Sequence, residues 1–128
     1  MSFVKRHVVD VTTDGSGDGT GYTSEPVTGF VQAIRYVKDG SNAYSNGVDV
    51  TVTAEASGLA IVTLTDLNAT ATSYPRAATS DVAGAASLYA SGGVAVNDKI
   101  PVADERVKIV VASGGATKTG RFHVYVGG

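Results

Sequence analysis

The segment Asp14-Gly15-Ser16-Gly17-Asp18-Gly19-Thr20-Gly21-Tyr22-Thr23-Ser24-Glu25 carries the sharpest chemical pattern in the sequence. Oxygen-bearing side chains stand at alternate positions from Asp14 to Thr20, glycine holds the sixth place and glutamate the twelfth. That is the spacing of an EF-hand calcium loop, in which roughly six to eight oxygens wrap one ion around a sharp glycine turn. Two features oppose that reading. Gly21 occupies the eighth position, where an apolar residue normally anchors the loop, and both flanks read as strands rather than helices. The segment is therefore expected to be a hairpin loop in which Asp and Gly form turns, with an incidental calcium site as the alternative. Its G-x-G-x-G-x-G spacing is not the dinucleotide fingerprint, and no P-loop occurs.

The remaining catalytic inventory is thin. His7 and His123 are the two histidines. Both fall inside predicted strands, where they could meet across a sheet with Asp10 nearby, but nothing around them supplies a nucleophile elbow or a metal-ligand spacing. Asp104 and Glu105 are adjacent acids, and neighbours on a strand point apart, so the pair reads as solvated charge rather than a proton-sharing dyad. Asn68-Ala69-Thr70 matches a glycosylation sequon by chance alone in a chain without a secretion signal. Arg76 and Arg106 could pair with Asp81, Asp104 or Glu105 and tie a long connection to a sheet. No catalytic, cofactor-binding or metal-ligating residue is assigned, no cofactor is expected, and the chain is not expected to be an enzyme.

The elements that would position these residues follow from composition. The 128 residues suit one domain, with ten basic against twelve acidic side chains and a net charge of −2. The charges are spread along the sequence, which argues against nucleic acid as a main partner. Absence of cysteine excludes disulfides and suits a reducing cytoplasm. Lys5 and Arg6 are followed by neither a signal peptide's apolar stretch nor its cleavage site, and no window approaches the roughly 20 apolar residues of a membrane span. Glycine-rich turns and abundant threonine and valine predict an all-β fold.

Strands are expected at Phe3–Thr12, at Val27–Lys38 with a bend at Gly29, at Val48–Glu55, and at Leu59–Leu67 as a central strand. Two more are expected around Val107–Val111 and Phe122–Val126. Val107, Ile109, Val111, Phe122, Val124 and Val126 are expected on one sheet face, joined by a hairpin loop at SGGATKTG. Residues 71–93 lack alternation and form a long irregular excursion, with helical turns within 81–90 as the alternative. About seven or eight strands in this length point to a β-sandwich or jelly-roll-like barrel spanning residues 1–128, with the N-terminal segment a candidate extended arm.

The segments VVDVTTDGSGDGT, GFVQAIRYVKDG, DVAGAASLYASGG, VNDKIPVADERVKIVVASGG and KTGRFHVYV resemble a family of small virion accessory proteins of tailed bacteriophages. The resemblance implies a capsid decoration, or cement, protein that binds the outside of the major capsid protein shell. It implies a homo-oligomer, a trimer about local symmetry axes being one form, made in the host cytoplasm and located on the virion. The scattered charges and the lack of an apolar span add the expectation of no nucleic-acid or membrane partner. The alternatives are a head–tail connector, tail or fibre-base protein, or a carbohydrate- or receptor-binding β-sandwich. For the last, the six tyrosines are dispersed and tryptophan is absent.

Overall fold

A computed structural model of the chain describes residues 3–78 and 97–128. These residues are all-β. In chain order the strands are β1 (Val4–Thr12), β2 (Gly19–Tyr22), β3 (Val27–Lys38), β4 (Asp49–Ala54), β5 (Ala60–Leu64), β6 (Ala71–Ser73), β7 (Ala77–Ala78), β8 (Asn97–Asp98), β9 (Ile100–Glu105), β10 (Val107–Ala112) and β11 (Thr119–Gly127).

Two antiparallel sheets stack face to face. In sheet A, β11 lies between β1 and β3, and the far edge of β3 is shared by β9 along Val27–Val31 and by β6 along Ile34–Tyr36. Sheet B has the order β2-β10-β4-β5, and β7 pairs with β8 apart from both. Strand alternation supplies the core. Val9, Val11, Ile34, Tyr36, Phe122 and Val124 point inward from sheet A, and Val50, Val52, Val107, Ile109 and Val111 from sheet B, all at most 2% exposed. Each fully buried apolar side chain contributes about 1.5–3 kcal/mol relative to exposure, so the interlayer is the main source of stability.

The alternation named the buried faces correctly, but not the partners. β10 and β11 form no hairpin: β10 pairs with β2 and β4, and β11 with β1 and β3. The connection between them crosses from one layer to the other, turning through Ser113, Gly115 and Thr117 at φ of 59°, 83° and 53°. The six apolar side chains of these strands therefore meet across the interior instead of sharing a sheet face. A period of two specifies which side is buried and carries no information on which strand lies alongside.

The Asp14–Gly21 segment is a crossover of the same kind. Its last residues belong to β2 in sheet B, whereas β1 lies in sheet A. Gly21 is required there: a Cβ would stand 2.7 Å from Val11 Cγ2 and 2.8 Å from Val9 Cγ1, so only glycine lets β2 lie over the β1 side chains.

Leu59–Leu67 is not a central strand. Only Ala60–Leu64 is extended, it pairs with β4 alone, and Leu59 is 43% exposed. Apolar residues on both faces arise from a bulge. Val52 faces Val62 and Thr53 faces Ala60, which leaves Ile61 as an extra residue that turns inward, 5% exposed. The bend at Gly29 is present as a register shift against β9. From Val4 the N-terminal segment is a strand paired with β11 along its length. Of the excursion, residues 71–78 hold β6, the Tyr74-Pro75-Arg76 turn and β7. Residues 79–93, including the candidate helical turns, lie outside the described residues.

Candidate functional site

The most distinctive surface is the outer face of sheet A. The strand register builds it in rows. Arg6 stands opposite Tyr125, and Tyr125 opposite Ala33. The next row runs Val8, His123, Arg35 and Thr72 across four strands, and a third runs Asp10, Arg121 and Val37. On β1, β3 and β11 these residues alternate with buried residues of their own strand, so burying Val9, Ile34, Tyr36, Phe122 and Val124 forces the arginines outward. Arg76 joins the face from the turn after β6, where its Nη1 donates to the carbonyls of Pro75 at 2.6 Å and Gln32 at 3.3 Å.

Four of the five arginines of the chain, Arg6, Arg35, Arg76 and Arg121, thus share one face, with Asp10 as the carboxylate among its paired rows. Arg121 is held by Asp10 through Nε at 2.8 Å and Nη2 at 3.3 Å. Arg35 donates to Thr72 Oγ1 at 2.8 Å. No carboxylate pairs with Arg6, Arg35 or Arg76 among the described residues. His123 registers the resulting field: burial, then Arg6, Arg121 and Arg35, hold its pKa below the ordinary imidazole value, with Asp10 opposing. Between Arg35 and Arg76 lies a groove of about 430 Å³ lined also by Val4, Thr72, Tyr74 and Tyr125. Tyr74 is 66% exposed.

The residues singled out for chemistry are not brought together. His7 faces inward with Val9 and Val11, whereas His123 faces outward, so the sheet separates them. Asp10 sits on the His123 side and is bound to Arg121. The Asp14 carboxylate accepts the amides of Ser16 at 2.8 Å and Asp18 at 3.2 Å, which pull its pKa below the usual range. Glu25, the twelfth position of the calcium-like spacing, is paired with Lys5. The two acids that would end a calcium loop are thus each occupied by protein donors. No group of three or more potential metal ligands occurs among the described residues.

Glu105 is more than a solvated charge. Its Oε1 accepts the amides of Ala56 and Ser57, both at 2.8 Å, and fixes the β4–β5 turn. Asp104, at φ 52°, is the neighbour that lets β9 bulge against β3, and its amide donates to Thr28 Oγ1 at 3.0 Å. Arg106 binds Glu55 instead of Asp104 or Glu105, and its guanidinium lies 4.3 Å over the Tyr22 ring. Arg76 is held by two carbonyls, and Asp81 lies outside the described residues.

The arginine face was missed because the charges are far apart in sequence. Arg6, Arg35 and Arg121 are each legible alone as the outward position of an alternating strand, whereas Arg76 lies on the short connection between β6 and β7. Gathering them requires the order β1-β11-β3-β6, which no local pattern encodes.

No protein-family model matches the chain, and no curated protein matches its sequence. Among solved structures, the chain is similar to a crystal structure of FlhE, with 11% identity over 98% of this chain and 96% of that one, at a TM-score of 0.45. It is also similar to exo-β-1,3-galactanase from Phanerochaete chrysosporium in complex with galactose, with 18% identity over 98% of this chain and 29% of that one, at a TM-score of 0.32. Agreement at this level assigns neither a family nor an activity to the chain.

Proposed function

We propose that this chain is a non-enzymatic structural module that docks onto a larger assembly, and that the assembly is the shell of a tailed bacteriophage, decorated on its outer surface. The observation that carries the docking reading is the outer face of sheet A. It is a paired platform on which strand alternation sets Arg6, Arg35 and Arg121 outward, with the exposed Tyr74 and Arg76 brought to the same groove by the connection after β6. Arginine and tyrosine are enriched where protein partners bind, because each combines a large contact area with directional donors. The phage shell comes from the sequence resemblance alone. The non-enzymatic part is supported by the sheet that separates His7 from His123 and by Asp10, Asp14, Glu25 and Glu105, each engaged separately in ion pairing or turn capping. A sugar platform is less well supported, since Tyr36 and Tyr44 are in the core and Arg106 covers Tyr22.

Mixing the purified protein with expanded shells stripped of accessory proteins, then pelleting them, tests the reading. Co-sedimentation at saturable, high copy number is expected. Protein that stays in the supernatant with shells but binds purified tails would replace the decoration reading with the tail reading.

A further inference from the structure

We infer that the outer face of sheet A receives a carboxylate-rich segment of a protein partner, seated in the groove between Arg35 and Arg76. The inference rests on the docking reading and adds the chemistry of the partner.

Charge complementarity sets the sign. Arg121 is neutralised by Asp10, so among the described residues the charge without a carboxylate partner comes from Arg6, Arg35 and Arg76. Arg35 and Arg76 are each tethered by uncharged acceptors, the Thr72 hydroxyl and the Pro75 and Gln32 carbonyls. Such tethers orient a guanidinium without cancelling its charge, leaving its remaining donors for an incoming anion. A planar fork of donors matches the two oxygens of a carboxylate, and less ordering is lost when the fork is already held. Tyr74 and Tyr125 line the same groove and supply apolar ring surface beside the charges.

A protein carboxylate fits better than a nucleic-acid phosphate backbone. The chain carries a net charge of −2, and the Asp10 carboxylate stands on the face itself. Val4 and Val8, 56% and 43% exposed, interrupt the charged rows with apolar surface that a phosphate chain would leave unused. An acidic protein surface could bury those valines and pair the arginines together.

Fluorescence anisotropy with a labelled decaglutamate peptide tests the partner chemistry, with a labelled decathymidine oligonucleotide as the phosphate counterpart. Wild-type protein should bind decaglutamate, and raising salt from about 50 to 300 mM should weaken binding by roughly tenfold. The double variant Arg35→Glu/Arg76→Glu should lose binding by at least about tenfold, the neutral Arg35→Gln/Arg76→Gln should fall between, and Lys108→Glu on sheet B should bind as wild type. Melting curves matching wild type establish that the variants are folded. Equal affinity in wild type and double variant, or no binding of decaglutamate, overturns the inference. Oligonucleotide binding tighter by about tenfold would instead make the face a nucleic-acid site.

Shell pelleting separates the two levels of the account. If the folded double variant still pellets with shells at wild-type amounts, the groove is wrong and the docking reading stands. If decaglutamate binding follows the arginines but wild-type protein never pellets with shells, the groove stands and the choice of assembly is wrong.

Discussion

The hydroxyl of Tyr44 donates to the carbonyl oxygen of Val11 at 2.6 Å inside the core. Tyr44 lies on the connection from β3 in sheet A to β4 in sheet B, so this bond fastens the crossover to β1. Its ring stacks on Tyr36 at a centroid distance of 5.8 Å, yet the Tyr36 hydroxyl, also buried, has no partner among the described residues. The two tyrosines should therefore respond oppositely to loss of the hydroxyl. Tyr44→Phe strands a buried carbonyl and should cost about 1–3 kcal/mol, whereas Tyr36→Phe should be neutral or mildly stabilising. Denaturant midpoints at unchanged slope provide the check. Burial also pushes the Tyr44 phenol up, so its contribution is present below the ordinary tyrosine pKa of 10.0 and is lost as the pH rises beyond it.

Phe122 completes the cluster, with its ring 5.3 Å from Tyr36 and 6.5 Å from Tyr44. Phe122→Ala should lower stability by about 3–5 kcal/mol, because the rings around it cannot collapse into the space. Gly120→Ala should also destabilise, by about 1–3 kcal/mol, since a methyl would stand 2.6 Å from the Tyr44 ring and 2.8 Å from the Tyr36 ring. Calorimetric melting of the two variants is the measurement, and a wild-type melting temperature for either would contradict this packing.

Both histidines should titrate below 6.5. Burial depresses His7, with Lys5 adding to it and Glu25 opposing. A depressed folded-state pKa means that the unfolded chain takes up the proton first as the pH falls. The stability contribution is therefore present above the unfolded value of 6.5 and is lost on descent through the folded values. The melting temperature should drop as the pH is lowered from 6.5, and imidazole resonances followed by NMR should show both midpoints below 6.5.

Asp14 is expected to act as a turn cap and not as a calcium ligand. Asp14→Ala should lower the melting temperature by removing the acceptor for Ser16 and Asp18, and Asp14→Asn, which keeps an oxygen, should recover part of the loss. The amides depress its pKa, so this contribution is present above the ordinary carboxylate value of 3.8 and is lost as the pH falls below it. Calorimetric titration with calcium at neutral pH should show nothing tighter than roughly millimolar binding. A micromolar constant abolished by Asp14→Ala would make calcium a cofactor of the loop.

The sequence foretold the buried faces well, because alternation is a local property that backbone pleating imposes on every strand. Val107, Ile109, Val111, Phe122 and Val124 are all fully buried, as the period of two requires. Strand partners were not legible: β10 and β11 look like a hairpin until the layer they join is known. The same gap hid the candidate site. Arg6, Arg35 and Arg121 become neighbours only because β11 inserts between β1 and β3, a consequence of how the whole interior closes. Short strands such as β2 escaped for another reason, since Gly19 and Gly21 carry a packing requirement imposed by β1 rather than any strand preference.

A reconstruction of shells saturated with this protein would test the central claim most directly. The account predicts many copies on the outer surface, each oriented with sheet A against the shell and with Arg35 and Arg76 facing acidic side chains. Copies seated by the outer face of sheet B, or density confined to the tail, would contradict it.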